Sequence, residues 1–370
     1  MPGIYVHIPF CKHKCTYCDF VSFAGKDGEA ENYFNNLYHE LMYRAQQAKG
    51  VTFDTVYFGG GTPSFVDAVY ITAALTLIKR EFRIAENAEI TIEMNPGTVT
   101  EEKLQAYKKA GFNRFSVGFQ TANDDELLRL NRIHTKADFI ETAKLLEGEN
   151  FSADVMIGLH DESEEDVLES LRIALNYGAS HVSVYALTPA DGTPIYTDYL
   201  NGELPDGDEV AERYETCVKY LQSRGVFRYE VSNFAKPGME SRHNLNYWKR
   251  GEYLGFGIAA HSFFGGKRFA NTENFKEYDL ALKNERFPVV YEEEITEKEA
   301  EEEFVMLALR TEAGIDYAAY KKAFNEDFPV KYERKLQKLA PFFRETEKGI
   351  ALLPEKMYVQ DGIVLELLSE

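Results

Sequence analysis

Three thiols stand close together in the stretch Cys11-Lys12-His13-Lys14-Cys15-Thr16-Tyr17-Cys18, directly after the apolar run Ile4-Tyr5-Val6-His7-Ile8. Thiolate is the soft ligand that iron–sulfur clusters prefer, and a loop at a strand end can present three of them at once. Three is the informative number. A four-iron cluster held by three cysteines keeps one iron without a protein ligand, open to a small molecule. The competing reading is structural zinc, which usually needs four ligands, and the fourth here would be His13 or the distant Cys217. No second cysteine pair exists to complete a zinc ribbon. Disulfides fit poorly, because a chain of 370 residues with four cysteines in all needs no covalent staple.

The elements that must position these thiols follow a regular rhythm. Tyr33, Phe34, Leu37, Tyr38, Leu41, Met42 and Ala45 recur at helical spacing and form one apolar face, and Gly50 ends the segment. Thr55 to Phe58 reads as a buried strand that runs into Gly59-Gly60-Gly61-Thr62-Pro63. The cycle then repeats: a helix over 67–82, strand Ile90 to Glu93, a helix from Glu101, strand Arg114 to Gly118, and helical stretches through Glu147. Strand Ser152 to Met156, a helix near 164–176, strand Val182 to Tyr185 and a helix from Asp208 to Gln222 complete it. Six strand–helix units in succession imply a parallel sheet, since parallel strands need crossover connections. The fold class expected is α/β, a partial (β/α)6 barrel, open where a full barrel would have eight units. The cysteines follow strand one, the glycines strand two, Glu93 ends strand three and Gln120 lies just past strand four. All fall at the carboxyl ends, where parallel barrels build their sites.

Beyond about residue 227 the rhythm changes. Arg228 to Phe234 reads as one more extended segment, and 251–270, rich in glycine and aromatics, reads as tight backbone packing. Glu292-Glu293-Glu294 and Glu301-Glu302-Glu303 read as a solvated face and helix start. Tyr317, Tyr320 and Phe324 share a helix, and Ile350 to Leu353 followed by Ile363 to Leu365 reads as a hairpin-like end. The expected division is residues 1–285 for the barrel with its extension and 286–370 for a smaller mixed α+β C-terminal domain.

The formal charge of −20 argues against a general nucleic-acid surface, which relies on Lys and Arg. No apolar run approaches the roughly 20 residues of a membrane-spanning helix, and Met1-Pro2-Gly3 leads into a strand without a charged leader. A reducing, cytoplasmic setting is the expectation, and it suits an oxygen-sensitive cluster. An exposed edge on an open barrel would allow a homodimer, although no stretch specifies one.

Glycines at a strand end let backbone approach a ligand closely, although a triple glycine before proline is by itself more often a turn. Glu93 interrupts an apolar strand in Ile92-Glu93-Met94-Asn95-Pro96 and could accept hydrogen bonds from a ribose or an amino group; the alternative is a surface carboxylate. Taken together, CxxxCxxC and the glycine motif one strand later resemble the radical S-adenosylmethionine (SAM) superfamily. That resemblance implies a [4Fe-4S] cluster on Cys11, Cys15 and Cys18 with SAM on its open iron. Tyr5-Val6-His7-Ile8-Pro9-Phe10-Cys11, Arg114 to Gln120, Leu130-Asn131-Arg132-Ile133-His134 and Gly255-Phe256-Gly257-Ile258-Ala259-Ala260-His261-Ser262 resemble, more narrowly, the coproporphyrinogen dehydrogenase and HemW branch. By position in those motifs, Tyr5, Tyr17, Gly60, Gly61, Thr62, Glu93, Gln120, Arg132 and Asp154 would contact SAM. Arg132 could pair bidentately with a carboxylate, or serve as a surface ion pair.

Two features choose within the branch. The oxygen-independent coproporphyrinogen dehydrogenases carry a further cysteine two positions after the third, where this chain has Phe20, and a long segment ahead of the first strand. Arg242-His243-Asn244-Leu245-Asn246-Tyr247-Trp248 matches the HNxxYW pattern of the HemW-type heme chaperones and holds the single Trp of the chain. His243 could offer an axial ligand to heme iron, with Tyr247 and Trp248 covering the porphyrin. The same cluster could equally be a hydrogen-bonded packing corner, and His181 and His261 are rival ligands. Ile157-Gly158-Leu159-His160-Asp161 departs from the branch, which has Pro-Gly after Gly-Leu. The function the resemblance implies is delivery of heme to an acceptor protein, such as a respiratory enzyme. The rivals are oxidative decarboxylation of coproporphyrinogen III and a zinc-stabilised binding module.

Overall fold

The computed structural model describes residues 2–369. Its frame is a run of parallel strands: β1 (Gly3–Ile8), β2 (Thr52–Gly60), β3 (Arg83–Met94), β4 (Arg114–Gln120), β5 (Phe151–Ile157) and β6 (His181–Ala186). They pair in that order, each parallel to the next. Helices α1 (Ala30–Ala45), α2 (Ala68–Glu81), α3 (Glu101–Ala110), α4 (Asp124–Arg129), α5 (Lys136–Leu145), α6 (Glu164–Asn176), α7 (Ile195–Leu200) and α8 (Gly207–Ser223) make the crossovers and the connection out of β6. All of β4 is buried, the mark of a strand covered on both faces. The six expected units are present.

The second half of the chain widens the sheet on both flanks. The segment from Arg228 to Phe234 is two short strands, β7 (Phe227–Arg228) and β8 (Asn233–Ala235), which form an antiparallel edge beside β6. After α9 (Arg242–Trp248), strand β9 (Tyr253–Phe256) lies parallel to β1 on its free side, so the parallel run has seven members. Strands β10 (His261–Phe264), β11 (Lys267–Asn271) and β12 (Val289–Glu294), with α10 (Phe275–Lys283) between the last two, extend that flank antiparallel and make a twelve-stranded sheet. The sheet does not close.

Tight backbone packing in the 251–270 region has a visible cause. Gly257 has φ +97°, and a Cβ there would stand 2.3 Å from the Tyr33 hydroxyl. Beneath it, the fully buried Glu40 carboxylate accepts from Gly257 N (2.8 Å), Tyr278 Oη (2.8 Å), Asn271 Nδ2 (2.7 Å) and Arg44 Nε (3.0 Å). A buried charge is tolerable when paired and hydrogen-bonded in this way. This network ties α1 and α10 to the β9–β11 flank.

The C-terminal domain comprises α11 (Glu297–Ala308), β13 (Ile315–Asp316), α12 (Tyr317–Phe324), α13 (Phe328–Lys331), α14 (Glu333–Leu339), β14 (Phe343–Glu345), β15 (Gly349–Leu352) and α15 (Gln360–Leu368). Val305, Leu309, Tyr320, Phe328, Leu352 and Leu367 belong to its separate core. Strand β12 still pairs with β11, and the separate core begins at α11. Two expectations need correction here. The hairpin-like end is not one: β15 pairs with β13 and β14, while Ile363, Val364 and Leu367 bury one face of a helix. The glutamates are also more than a solvated face. Glu292 to Glu294 lie on β12, and Glu301 holds Tyr320, Tyr332 and Lys331 together.

Candidate functional site

At the carboxyl ends of β1 to β6 the structure opens a cavity of about 420 Å³, and Cys11, Cys15 and Cys18 all line it as free, half-buried thiols. The loop carrying them is fixed at both sides. Phe10–Cys11 pairs with Phe23–Ala24, Asn131 Nδ2 donates to Lys14 O (2.8 Å), and Thr16 N donates to Leu130 O (3.1 Å). Asn131 can reach back because it adopts φ +56°, a left-handed conformation that Asn tolerates. The Leu130-Asn131-Arg132 motif thus shapes the cysteine loop from the far side of the barrel. Burial raises the Cys11 thiol above its ordinary range, while Thr62 Oγ1, 3.6 Å from Cys11 Sγ, counters it.

The glycine turn approaches the same loop through its backbone. Gly61 N donates to Ile8 O (2.9 Å) and Thr62 N to Phe10 O (2.8 Å). Gly60 has φ +106°, and a Cβ on it would sit 2.4 Å from the His7 ring. A side chain at that position must displace either the imidazole or the turn. Glu93 accepts from Gly60 N (3.1 Å) and from Tyr57 Oη (2.7 Å), so it braces the turn as well as facing the cavity. Burial pushes its carboxyl up to about 7, with the nearby Asp154 adding to the shift. Burial likewise holds Asp154 at about 6, against the opposing pull of Ser183 and Arg132.

Arg132 crosses the floor. Its Nη2 donates to Asn95 Oδ1 (2.6 Å) and Gly118 O (2.8 Å), and its Nη1 lies 3.3 Å from Tyr17 Oη and 3.6 Å from Cys15 Sγ. Its buried Nε has no hydrogen-bond partner. The guanidinium places positive charge beside Cys15, and an unspent donor suits an anionic ligand. Gln120 ends β4 at φ +71°, next to a register shift that turns it into the cavity.

Of the residues that the motifs single out for SAM, Tyr17, Gly60, Gly61, Thr62, Glu93, Gln120, Arg132 and Asp154 line this one cavity. Tyr5 does not. Its hydroxyl bonds His7 Nδ1 (3.0 Å) and its ring stacks on Tyr57. Asn95, which bridges Arg132 and Thr62 Oγ1 (2.9 Å), went unrecognised, as did Leu187, Thr188 and Ala190. Asn95 stands between Glu93 and Pro96 at a strand end, and that position was the available signal. The wall after β6 carries no signal of residue type. Cys217, the distant candidate for a fourth zinc ligand, is buried in the core on α8.

The HNxxYW segment is elsewhere. It forms α9, which enters the barrel from the amino ends of the strands. Ser241 caps it, and Glu89 accepts from Arg242 N (3.0 Å) and His243 N (3.0 Å), filling donors that a helix start leaves open. His243 is 1% exposed, stacks on Tyr57, and bonds Thr55 Oγ1 through Nδ1 (2.7 Å) and Tyr247 Oη through Nε2 (2.9 Å). With both ring nitrogens engaged, burial lowers its pKa to about 3. In this structure His243 and Tyr247 share a hydrogen-bonded packing corner, with both imidazole nitrogens engaged inside the protein. Trp248 instead faces the C-terminal domain through Arg310, 5.9 Å from its ring. Of the rivals, His181 is buried against Tyr229 Oη (2.9 Å), and His261 is exposed on β10.

Comparison with known proteins agrees with this geometry. The family model of the radical SAM superfamily matches residues 5–174, and that of the HemN C-terminal domain matches residues 295–349. The heme chaperone HemW of Bacillus subtilis is 36% identical over 358 residues, covering 95% of this chain and 92% of that protein. The heme chaperone HemW of Escherichia coli is 39% identical, over 70% of this chain and 69% of its own length. Among solved structures, the coproporphyrinogen III oxidase HemN of Escherichia coli superposes with a TM-score of 0.86 at 20% identity, covering 100% of this chain and 90% of that one, a likeness of fold. With three thiols, a glycine turn and an unspent arginine donor gathered at one end of the strands, and near full-length similarity at this level, the chain belongs to the radical SAM superfamily and, within it, to the HemW family.

Proposed function

We propose that this protein is a heme chaperone that holds a [4Fe-4S] cluster through Cys11, Cys15 and Cys18, binds SAM above the Gly60–Thr62 turn, and passes heme to an acceptor protein. The observation that carries the reading is the near full-length similarity to the HemW of Bacillus subtilis, joined to a cavity whose donors suit both cofactors. The donor set is three thiols for iron, backbone at Gly60 and Gly61, carboxylates at Glu93 and Asp154, and the free Nε of Arg132 for a carboxylate. When bound, the cluster and SAM supply one-electron chemistry at the sulfonium. The chain's own residues do the rest. Arg132 keeps positive charge beside Cys15, Glu93 fixes the turn that approaches the ligand, and the wall of Leu187, Thr188 and Ala190 narrows access for water.

Heme binding in this reading does not use His243, whose ring nitrogens are both engaged. The second reading, oxidation of coproporphyrinogen III, draws on the shared fold with HemN. Phe20 weighs against it: 63% exposed and lining the cavity, it offers no thiol where the resemblance implies one in that enzyme group. Anaerobic reconstitution with iron and sulfide, followed by titration of heme and of coproporphyrinogen with SAM present, separates the two. Stoichiometric heme uptake, read from the Soret band, without porphyrinogen turnover is the expected result. Turnover to a divinyl porphyrinogen would replace the chaperone reading with the enzyme.

A further inference from the structure

His160 occupies the turn after β5, where the branch pattern has proline, and nothing in the cofactor cavity uses it. Its ring is held between two carboxylates. Nε2 lies 3.1 Å from Asp198 Oδ2 on α7, and Nδ1 lies 3.5 Å from Glu126 Oε2 on α4. Only 10% of the His160 side chain and 6% of the Glu126 side chain are exposed, and neither Nδ1 nor Oε2 has a hydrogen-bond partner. Glu126 Oε1 is taken by Arg129 (3.0 Å), so Oε2 is the atom aimed at the ring. On the outer side stands Glu203. His160, Asp198 and Glu203 each bring one ligand atom to within 4.8 Å of the others. The backbone pre-arranges the two acids, since Glu203 N donates to Asp198 O (3.0 Å).

We propose that His160, Asp198 and Glu203 form a divalent-cation site, with Glu126 as the buried carboxylate that orients the imidazole. A metal-bound histidine characteristically donates its other ring N–H to a carboxylate, which fixes the tautomer and strengthens the donor nitrogen. Glu126 is placed for that role and is spent on nothing else at Oε2. One imidazole and two carboxylates suit zinc and its first-row neighbours, with water completing the shell. Metal–ligand bonds of about 2.0–2.2 Å require the three atoms to draw closer together. The exposed Glu203 side chain, whose Oε1 accepts from Asn201 Nδ2 (3.1 Å), makes that movement by exchanging a surface hydrogen bond for the cation.

The site joins three separate segments: the β5–α6 turn, α7 and the turn after α7. The segment that includes α7 also supplies Leu187, Thr188 and Ala190 to the cofactor cavity, and Ile195 N donates to Thr16 O (3.1 Å) within the cysteine loop. A cation here therefore clamps the outer wall of the cavity without entering it.

The test is calorimetric titration of the cluster-reconstituted full-length protein with Zn²⁺, in which the loop thiols are already occupied by iron. One equivalent is expected to bind, with affinity reduced at least tenfold in Glu203→Gln and Asp198→Asn and lost in His160→Ala. Glu203→Gln alters an exposed side chain and leaves folding intact, so its result stands even if His160→Ala fails to fold. Glu126→Gln should weaken binding by roughly 10–100-fold while all three ligands remain. Hydrogen exchange over residues 187–204 should slow on Zn²⁺ addition. Absence of a binding event, or zinc binding unchanged in Glu203→Gln and Asp198→Asn, overturns the site; binding without slower exchange overturns the clamp.

Discussion

The two ends of the barrel use similar residue types in opposite ways. At the carboxyl ends, three thiols, Glu93, Asp154 and Arg132 surround an open cavity, and a buried guanidinium nitrogen remains without a partner. At the amino ends, His243, Tyr247, Thr55 and Glu89 also form a polar and aromatic cluster, but both His243 nitrogens and both Glu89 oxygens are engaged within the protein. Polar groups held in reserve distinguish a binding site from a structural corner. The motif with the chemically richer composition turned out to be the plug.

The sharpest way to break that comparison is at the cysteines. Cys15→Ser should abolish stable cluster assembly, read as loss of iron content and of charge-transfer absorbance after anaerobic reconstitution, with far-UV circular dichroism unchanged. Retention of a full cluster would mean that the loop is not its holder.

His243→Ala should act on stability instead. It leaves the Thr55 and Tyr247 hydroxyls unpaired and opens a hole beneath Tyr57, so denaturant melts should show a loss of roughly 2–5 kcal/mol. The heme-dependent Soret change of the folded fraction should persist. If it vanished while the fold held, the amino-terminal end would regain a ligand role.

Gly60→Ala probes the glycine turn at the carboxyl end. A Cβ at φ +106° against the His7 ring should cost about 1–3 kcal/mol. SAM affinity should fall severalfold in equilibrium binding, while the cysteines still take up iron.

The remaining expected effect is a pH dependence. Burial raises Glu93 from its usual 4.5 to about 7, so its contribution to stability is complete below the lower value and is lost as pH rises through the upper one. Glu93→Gln should flatten that part of the stability profile between pH 4.5 and 7 and leave the acid limb in place. An unchanged slope would place the titration elsewhere, for example on Asp154.

How much of this was legible in the sequence varies with the range of the interactions. The six parallel strands and their crossover helices were readable because each buries a continuous apolar face, a signal local to its own residues. The cysteines, the glycine turn, Glu93 and Gln120 could be placed at one end because strand ends in a parallel barrel converge, whereas Tyr17, Thr62, Arg132 and Asp154 rested on the family resemblance alone. Pairing of β9 with β1, and the entry of α9 from below, depend on partners 250 and 188 residues apart, so no local pattern betrays them. For the same reason His243 looked available. Its Thr55 partner is 188 residues away, whereas Tyr247 is within the motif. Glu301 and Glu303 looked solvated because the tyrosines and arginines that engage them come from other elements. The end of the chain misled through composition, since β-branched residues at 363–364 suited strand or helix and only packing decided.

The pairing of β1 with β9 has a consequence for how the protein is made. Strand β1 emerges from the ribosome before the other strands of this sheet, yet one of its two neighbours begins only at Tyr253. At about 5–20 residues per second, that edge waits roughly 12–50 s for its partner. Through that interval the nascent sheet ends at an uncovered strand leading straight into the cysteine loop. The thiols are synthesised long before the wall that encloses them, so shielding them during translation falls to whatever meets the emerging chain.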